Sequence, residues 1–205
     1  MSQENKTIGI TGGIGSGKSV VARILRCNGF VVYDCDREAK RIMKCDRKVI
    51  ESLVSRFGDD IYHTDGALNK NRLAAEMFSN QETREFVNLT VHSAVRNHIK
   101  ETRGRIKGIF FIESAIIATG GIVPFCDEIW IVTADHETRI KRVKERDKLS
   151  KDEILKRIET QEKEKELLDH EKIIFIENDF NRALLLPVLK LTDRNLKYQT
   201  YKISC

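Results

Sequence analysis

The chain has 205 residues, 40% hydrophobic and 33% charged, with a net charge of +5; that length holds one sizeable core and a small second lobe. Two prolines and twelve glycines exclude a fibrous or disordered protein, and the mild positive balance suits small polyanions better than nucleic acid, for which no dense basic block exists. No apolar run is long enough to cross a membrane, and five cysteines without a C-x-x-C pair argue for a reducing compartment over disulfides or a zinc site. Residues 1–6 are polar and lack a signal core, so a cytosolic protein is expected.

Thr7-Ile8-Gly9-Ile10-Thr11 reads as a short apolar strand. Lys18 opens a helix with Val21, Ile24 and Leu25 at helical spacing. Between them Gly12-Gly13-Ile14-Gly15-Ser16-Gly17-Lys18-Ser19 spells G-x-x-x-x-G-K-S, the P-loop pattern. Glycines let the backbone wrap an anion closely, and the loop N–H groups form a nest for phosphate oxygens. Gly13, Gly15, Ser16, Gly17, Lys18, Ser19 and Val20 are therefore candidate ATP-binding residues. Lys18 is expected to reach the β- and γ-phosphates, and the Ser19 hydroxyl to hold Mg²⁺.

Gly29 is a candidate C-cap, and Phe30-Val31-Val32-Tyr33 reads as a second strand. A strand–helix–strand of this length predicts a βαβ unit and a parallel sheet. Asp34 and Asp36 then fall at the carboxyl edge of the sheet, where ligands bind in such folds, beside the loop. Arg37 to Met43 continues as a helix. From Asp46 to Gly104 there is no β pattern. Three helical stripes are expected instead: Val49, Ile50, Leu53, Val54 and Phe57; Leu73, Ala74, Met77 and Phe78; Phe86, Leu89, Val91, Val95 and Ile99. An all-helical insert in a parallel sheet suggests an acceptor-binding lobe.

The run 108–113 is a third strand ending in Glu113, as a Walker-B strand ends in an acid, and 128–133 is a fourth. Residues 135–146 form a basic helix. Ser150 to Glu153 reads as a capping box that opens a charged helix to about Asp169. Its thin stripe of Ile154, Leu155 and Ile158 predicts a poorly anchored lid. Residues 173–176 are a fifth strand. A closing helix carries Leu184 to Leu189, with Pro187 kinking it or starting its last turn. The fold class is α/β: a five-stranded parallel P-loop sheet flanked by helices. Its nucleotide-binding core is residues 1–36 and 105–205, with a helical acceptor insert at 37–104 and a lid at 147–170.

Three features point to phosphoryl transfer onto a small acceptor. Asp36, with Asp34 beside it, stands where an acceptor hydroxyl would approach and can take its proton or orient Mg²⁺ through water; the competing reading makes Asp36 a helix N-cap. Arg139, Arg142 and Arg146 share a helical face and suit phosphate, with Arg142 and Arg146 first; the competing reading is a solvated face. The lid would exclude water and prevent futile ATP hydrolysis. His92 is a weaker candidate for acceptor phosphate, and Trp130 and Phe111 read as core. No N-K-x-D tetrapeptide occurs, which counts against a GTP switch, and the loop does not spell the G-x-G-x-x-G of a dinucleotide oxidoreductase.

The segment from Ile8 to Ser19 closely resembles the opening of dephospho-CoA kinases, and Val32-Tyr33-Asp34-Cys35-Asp36 resembles their V-[IY]-D-x-D. Phe57-Gly58, Asp65-Gly66-Ala67-Leu68-Asn69, Val91-His92, Arg142, Arg146-Asp147 and Gln161 resemble later stations of that family. The resemblance implies transfer of the ATP γ-phosphate to the ribose 3′-hydroxyl of dephospho-CoA. It puts the base on Asp36 and catalytic roles on Lys18 and Arg142. It places acceptor binding at Asp34, Asp36, Lys70, His92 and Glu113, and ATP binding partly at Arg146. The chain departs from the family pattern at Lys70, where an arginine is expected, at Ser93, where a proline is, and at Thr119, where a glutamate is.

Overall fold

The computed structural model describes residues 5–147, 153–155, 158, 159, 161, 164, 168–179 and 184–195. Five strands, β1 Lys6–Thr11, β2 Val31–Asp34, β3 Ile109–Glu113, β4 Glu128–Thr133 and β5 Ile173–Glu177, form one sheet in the order β2-β3-β1-β4-β5. β1 pairs in parallel with β3 and β4, and β4 with β5. The central strands explain the apolar runs. β3 is buried at every position and β4 at all but its last, because helices cover both faces of a parallel sheet. β5 lies at the edge, and Phe175 there is exposed.

The chain divides into two compact units, Met1–Tyr33 with Ile106–Cys205, and Asp34–Arg105. In the first, Ile8, Ile10, Phe111, Trp130, Val132, Ile176 and Val188 make a single core with Val21, Ala22 and Leu25 of α1, Lys18–Cys27. Phe111 packs on Trp130 at 5.3 Å between ring centres. The buried Glu128 carboxylate receives the Trp130 Nε1–H at 2.6 Å and Lys6 Nζ at 2.8 Å, which satisfies a charge that burial would otherwise penalise. α1 ends at Asn28, followed by Gly29 at φ +83, the left-handed residue that closes many helices. The last helix, α7, runs Leu185–Asn195. Pro187 lies in its first turn, where its missing N–H costs no helical bond. It neither kinks the helix nor starts its last turn.

The second unit holds α2 Cys35–Cys45, α3 Arg47–Phe57, α4 Lys70–Ser79 and α5 Gln81–Gly104. A side chain caps each N-terminus: Asp34, Asp46, Asn69 and Asn80 accept from backbone N–H groups at 2.8–3.2 Å. α5 buries Thr83, Val87, Val91, Val95 and Ile99, a strict four-residue repeat. Leu89, two positions from that line, turns outward and is 68% exposed, and Phe78 of α4 is 89% exposed. Both were expected in the core; a 3.6-residue period carries them off the buried face. An isolated bridge between Tyr62 and Leu68 stands among these helices.

Cys27 and Cys45 are exposed free thiols, whereas Cys35 and Cys126 are buried. Cys205 lies outside the described residues. Burial, helped by the Asp127 carboxylate, pushes the Cys126 thiol up to about 12. The thiolate is the reactive form, so alkylation of the native protein is expected to label Cys27 and Cys45 and to reach Cys126 only on unfolding. Peptide mass mapping after brief iodoacetamide treatment checks this; early labelling of Cys126 would contradict its burial.

Candidate active site

β1 delivers the chain to Gly12, and α1 begins at Lys18. The turn between them depends on glycine, most clearly at Gly15 and Gly17. Gly15 sits at φ +77, and a Cβ there would come 2.6 Å from the Arg139 carbonyl oxygen; Gly17 sits at φ +94 as the N-cap of α1. Gly17 offers no side-chain cap, so the helix start keeps N–H groups for an anion. The buried Ser16 hydroxyl has no hydrogen-bond partner among the described residues. A glycine-lined helix start and an unsatisfied buried hydroxyl both fit a bound phosphate group.

The sheet register places an acid beside the loop. Glu113, the last residue of β3, pairs with Ile10 of β1 and is 5% exposed. Lys18 Nζ lies 3.4 Å from one of its oxygens and Arg26 Nη2 3.4 Å from the other. Two cations thus compensate a buried carboxylate and hold Lys18 at the carboxyl edge of the sheet.

α6, His136–Asp147, supplies the arginines. Asp135 starts it by accepting the Thr138 N–H and hydroxyl, both at 2.7 Å, and these bonds lower the Asp135 pKa. Arg139 is 8% exposed; its Nε donates to the Ile14 carbonyl at 3.0 Å, and its guanidinium covers Gly13. Arg142 donates to the Gly15 carbonyl at 3.3 Å and to Asn178 Oδ1 at 3.5 Å. Asn178 in turn donates to the Ser16 carbonyl at 2.7 Å. Arg146 forks onto its neighbour Asp147 with two bonds of 2.7 Å, which raise its pKa, and has no hydrogen bond to the loop among the described residues. The three arginines differ in how closely they meet the loop. Arg139, ranked last, touches the loop most closely, because helical spacing shows a shared face but not which end of it meets the loop.

In the charged segment after α6, several of the described residues are anchored. Ser150 to Asp152 lie outside the described residues, but Ile154 and Ile158 are fully buried against Val143, Ile140 and Ile14. Gln161 Oε1 accepts the Ile14 N–H. Weak anchoring was expected from a thin apolar stripe; two isoleucines suffice because they meet a matching apolar patch on α6 and the loop. A cavity of about 210 Å³ opens beside the loop, with Gly12, Gly13, Ser16, Thr133, Arg139 and Gln161 in its wall.

The structure brings Lys18, Glu113, Arg139 and Arg142 together in the first unit. Asp34, Asp36, Lys70 and His92 belong to the second. There Asp34 is the cap of α2, accepting from the Arg37 N–H at 2.9 Å. Cys35 is buried as the first helical residue, not part of an extended segment, and Asp36 is exposed in the first turn. The cap role weighed for Asp36 thus falls to Asp34. Lys70 is exposed at the start of α4, and His92 is half-buried on α5. No local pattern marks Arg26, because its carboxylate partner Glu113 lies far away in sequence.

Among the described residues no group of three or more His, Cys, Asp or Glu could hold a metal. The donors near the loop are the Ser19 hydroxyl and the Glu113 carboxylate. Such hard oxygens suit Mg²⁺ bound jointly with substrate phosphates. Phosphoryl transfer asks a protein for positioning and positive charge, with little covalent chemistry of its own. The loop, its lysine and its arginines supply both, and the chain is a P-loop phosphotransferase. A family model described as dephospho-CoA kinase matches residues 6–183. The dephospho-CoA kinase of Fusobacterium nucleatum is 35% identical over 175 residues, 85% of this chain and 90% of that protein. A Thermus thermophilus crystal structure, TT1252, is 30% identical with a TM-score of 0.78, covering 95% of this chain and 99% of that one. A Campylobacter jejuni dephospho-CoA kinase shares the fold, with a TM-score of 0.66 at 22% identity over 93% of this chain and 98% of that one. The chain belongs to the dephospho-CoA kinase family.

Proposed function

We propose that this chain transfers the γ-phosphate of ATP to the ribose 3′-hydroxyl of dephospho-CoA, giving coenzyme A and ADP. The observation that carries the reading is the phosphate cradle: Lys18 held against Glu113, with Arg139 and Arg142 bonded to loop carbonyls. Loop N–H groups from Gly13 to Val20 and the Lys18 ammonium bind the β- and γ-phosphates. Ser19 holds Mg²⁺, which supplies charge neutralisation when the nucleotide is bound. Arg142 stabilises charge on the equatorial oxygens, and Arg146 extends the basic edge of α6 toward the nucleotide. Asp36 takes the proton from the acceptor hydroxyl; the support is an exposed carboxylate that the helix cap does not engage. The helical unit 34–105 binds the acceptor, with Asp34, Lys70 and His92 contributing, and Glu113 of the first unit is a further acceptor-binding residue. We place the enzyme in the cytosol, which fits four described cysteines that lie outside any disulfide; no helix among the described residues is long and apolar enough to cross a membrane.

The test is direct. Protein, MgATP and dephospho-CoA are mixed, and coenzyme A and ADP are separated by chromatography. Equal amounts of both are expected, with ADP formation dependent on dephospho-CoA. No acceptor-dependent ADP would overturn the reading.

A further inference from the structure

The loop that follows β3 is held by a side chain from far along the sequence. Glu164 is 7% exposed and directs both carboxylate oxygens at that loop. Its Oε1 accepts the Ala118 N–H at 2.5 Å and the Thr119 N–H at 3.1 Å. Its Oε2 accepts the Thr119 N–H at 3.2 Å and the Thr119 hydroxyl at 2.6 Å. An ionised carboxylate accepts only, so three donors on one loop suit it and satisfy a charge that burial would otherwise penalise. Three residues earlier, Gln161 accepts the Ile14 N–H of the phosphate loop. Ile154 and Ile158 pack on Ile14, Ile140 and Val143. The helical positions 154, 158, 161 and 164 therefore lie on one face. That face holds the loops leaving β1 and β3 at the same time, and Gln161 and Glu164 both line the cavity beside Gly12, Gly13 and Arg139.

We infer that Glu164 and Thr119 form a positioning pair that keeps this helical face seated over the phosphate loop, so that the γ-phosphoryl group is shielded from water. The inference rests on the kinase reading. Neither residue touches the reacting atoms; both act through the wall of the cavity. The Thr119 hydroxyl donates and the Glu164 carboxylate accepts, so a side chain as well as the backbone ties the loop after β3 to the helical face. The side reaction that the pair suppresses is hydrolysis, in which a water oxygen attacks the γ-phosphorus, ADP leaves, and inorganic phosphate and a proton are released.

The experiment compares Glu164→Ala, Thr119→Val and Thr119→Ser in the full chain. ATP hydrolysis is measured without acceptor, phosphoryl transfer with dephospho-CoA, and hydrogen exchange at the Ala118 and Thr119 amides. Glu164→Ala is expected to raise acceptor-free hydrolysis about tenfold while lowering transfer, and to speed exchange at both amides. Thr119→Val shifts hydrolysis and transfer the same way by less, and Thr119→Ser, which keeps the hydroxyl, restores wild-type behaviour. Hydrolysis is read without any acceptor, so it tests the pair whichever alcohol the enzyme phosphorylates; absence of transfer in the wild type counts against the kinase reading alone. Faster amide exchange with unchanged hydrolysis would reduce the pair to a prop for the loop and overturn the inference. Unchanged exchange would overturn the docking itself. Should Glu164→Ala fail to fold, Thr119→Val, which removes no charge, decides by the same ratio.

Discussion

Asp36→Asn is expected to lower kcat by about 10²–10⁴-fold and to leave ATP affinity near wild type. The substitution keeps the size of the side chain and removes its ability to take a proton. It also leaves the fold intact, because the N-cap of α2 is Asp34, which accepts from the Arg37 N–H, and Asp36 makes no capping bond. A fold defect therefore cannot mimic a chemical one. Steady-state rates at saturating MgATP and dephospho-CoA measure kcat, and equilibrium binding of a nucleotide analogue measures the ATP side. A kcat near wild type would leave Asp36 only the electrostatic role of an acid in the first turn of a helix.

Arg142→Ala is expected to cost about 10³-fold or more in transfer rate. Arg142 spans two loop-side groups, the Gly15 carbonyl and Asn178. These bonds of 3.3 and 3.5 Å are long, so the guanidinium gives up little when phosphate oxygens compete for it. Arg142→Lys keeps the charge but loses the planar fork, and a partial rescue separates charge from geometry. If the arginine mainly braces the loop, KM for ATP rises and kcat changes by less than about tenfold. If it stabilises transferred charge, kcat falls and KM moves little. The split between the two constants decides.

The first third of the site was legible because its chemistry is local. Strand, glycine turn and helix start lie within residues 6–27, and every glycine that the turn demands falls between the strand and the helix. Element identities were also legible where periodicity is strong, as in β3 and α5. Strand order was not: β3 separates β1 from β2 in the sheet, and nothing near Ile109 announces that it pairs with Lys6. The same limit governs the charged segment after α6. Two isoleucines look like too little apolar surface until their partners on α6 and the loop are seen. Asp34 and Asp36 show how narrow the margin is at a helix end. Both residue types suit a cap, and a two-residue shift in the start of α2 decides which of them bonds to the backbone and which keeps an exposed carboxylate.

Trp130 is the chain's one tryptophan, and it is fully buried on β4 against Phe111, with its indole N–H on Glu128. Tryptophan fluorescence, excited selectively, therefore reports the packing of the nucleotide-binding unit alone. The helical unit 34–105 contains no indole and is dark at tryptophan wavelengths. A denaturation curve read by emission follows one of two compact bodies, and only its comparison with a helix-sensitive circular dichroism signal says whether the chain melts as one cooperative structure or as two.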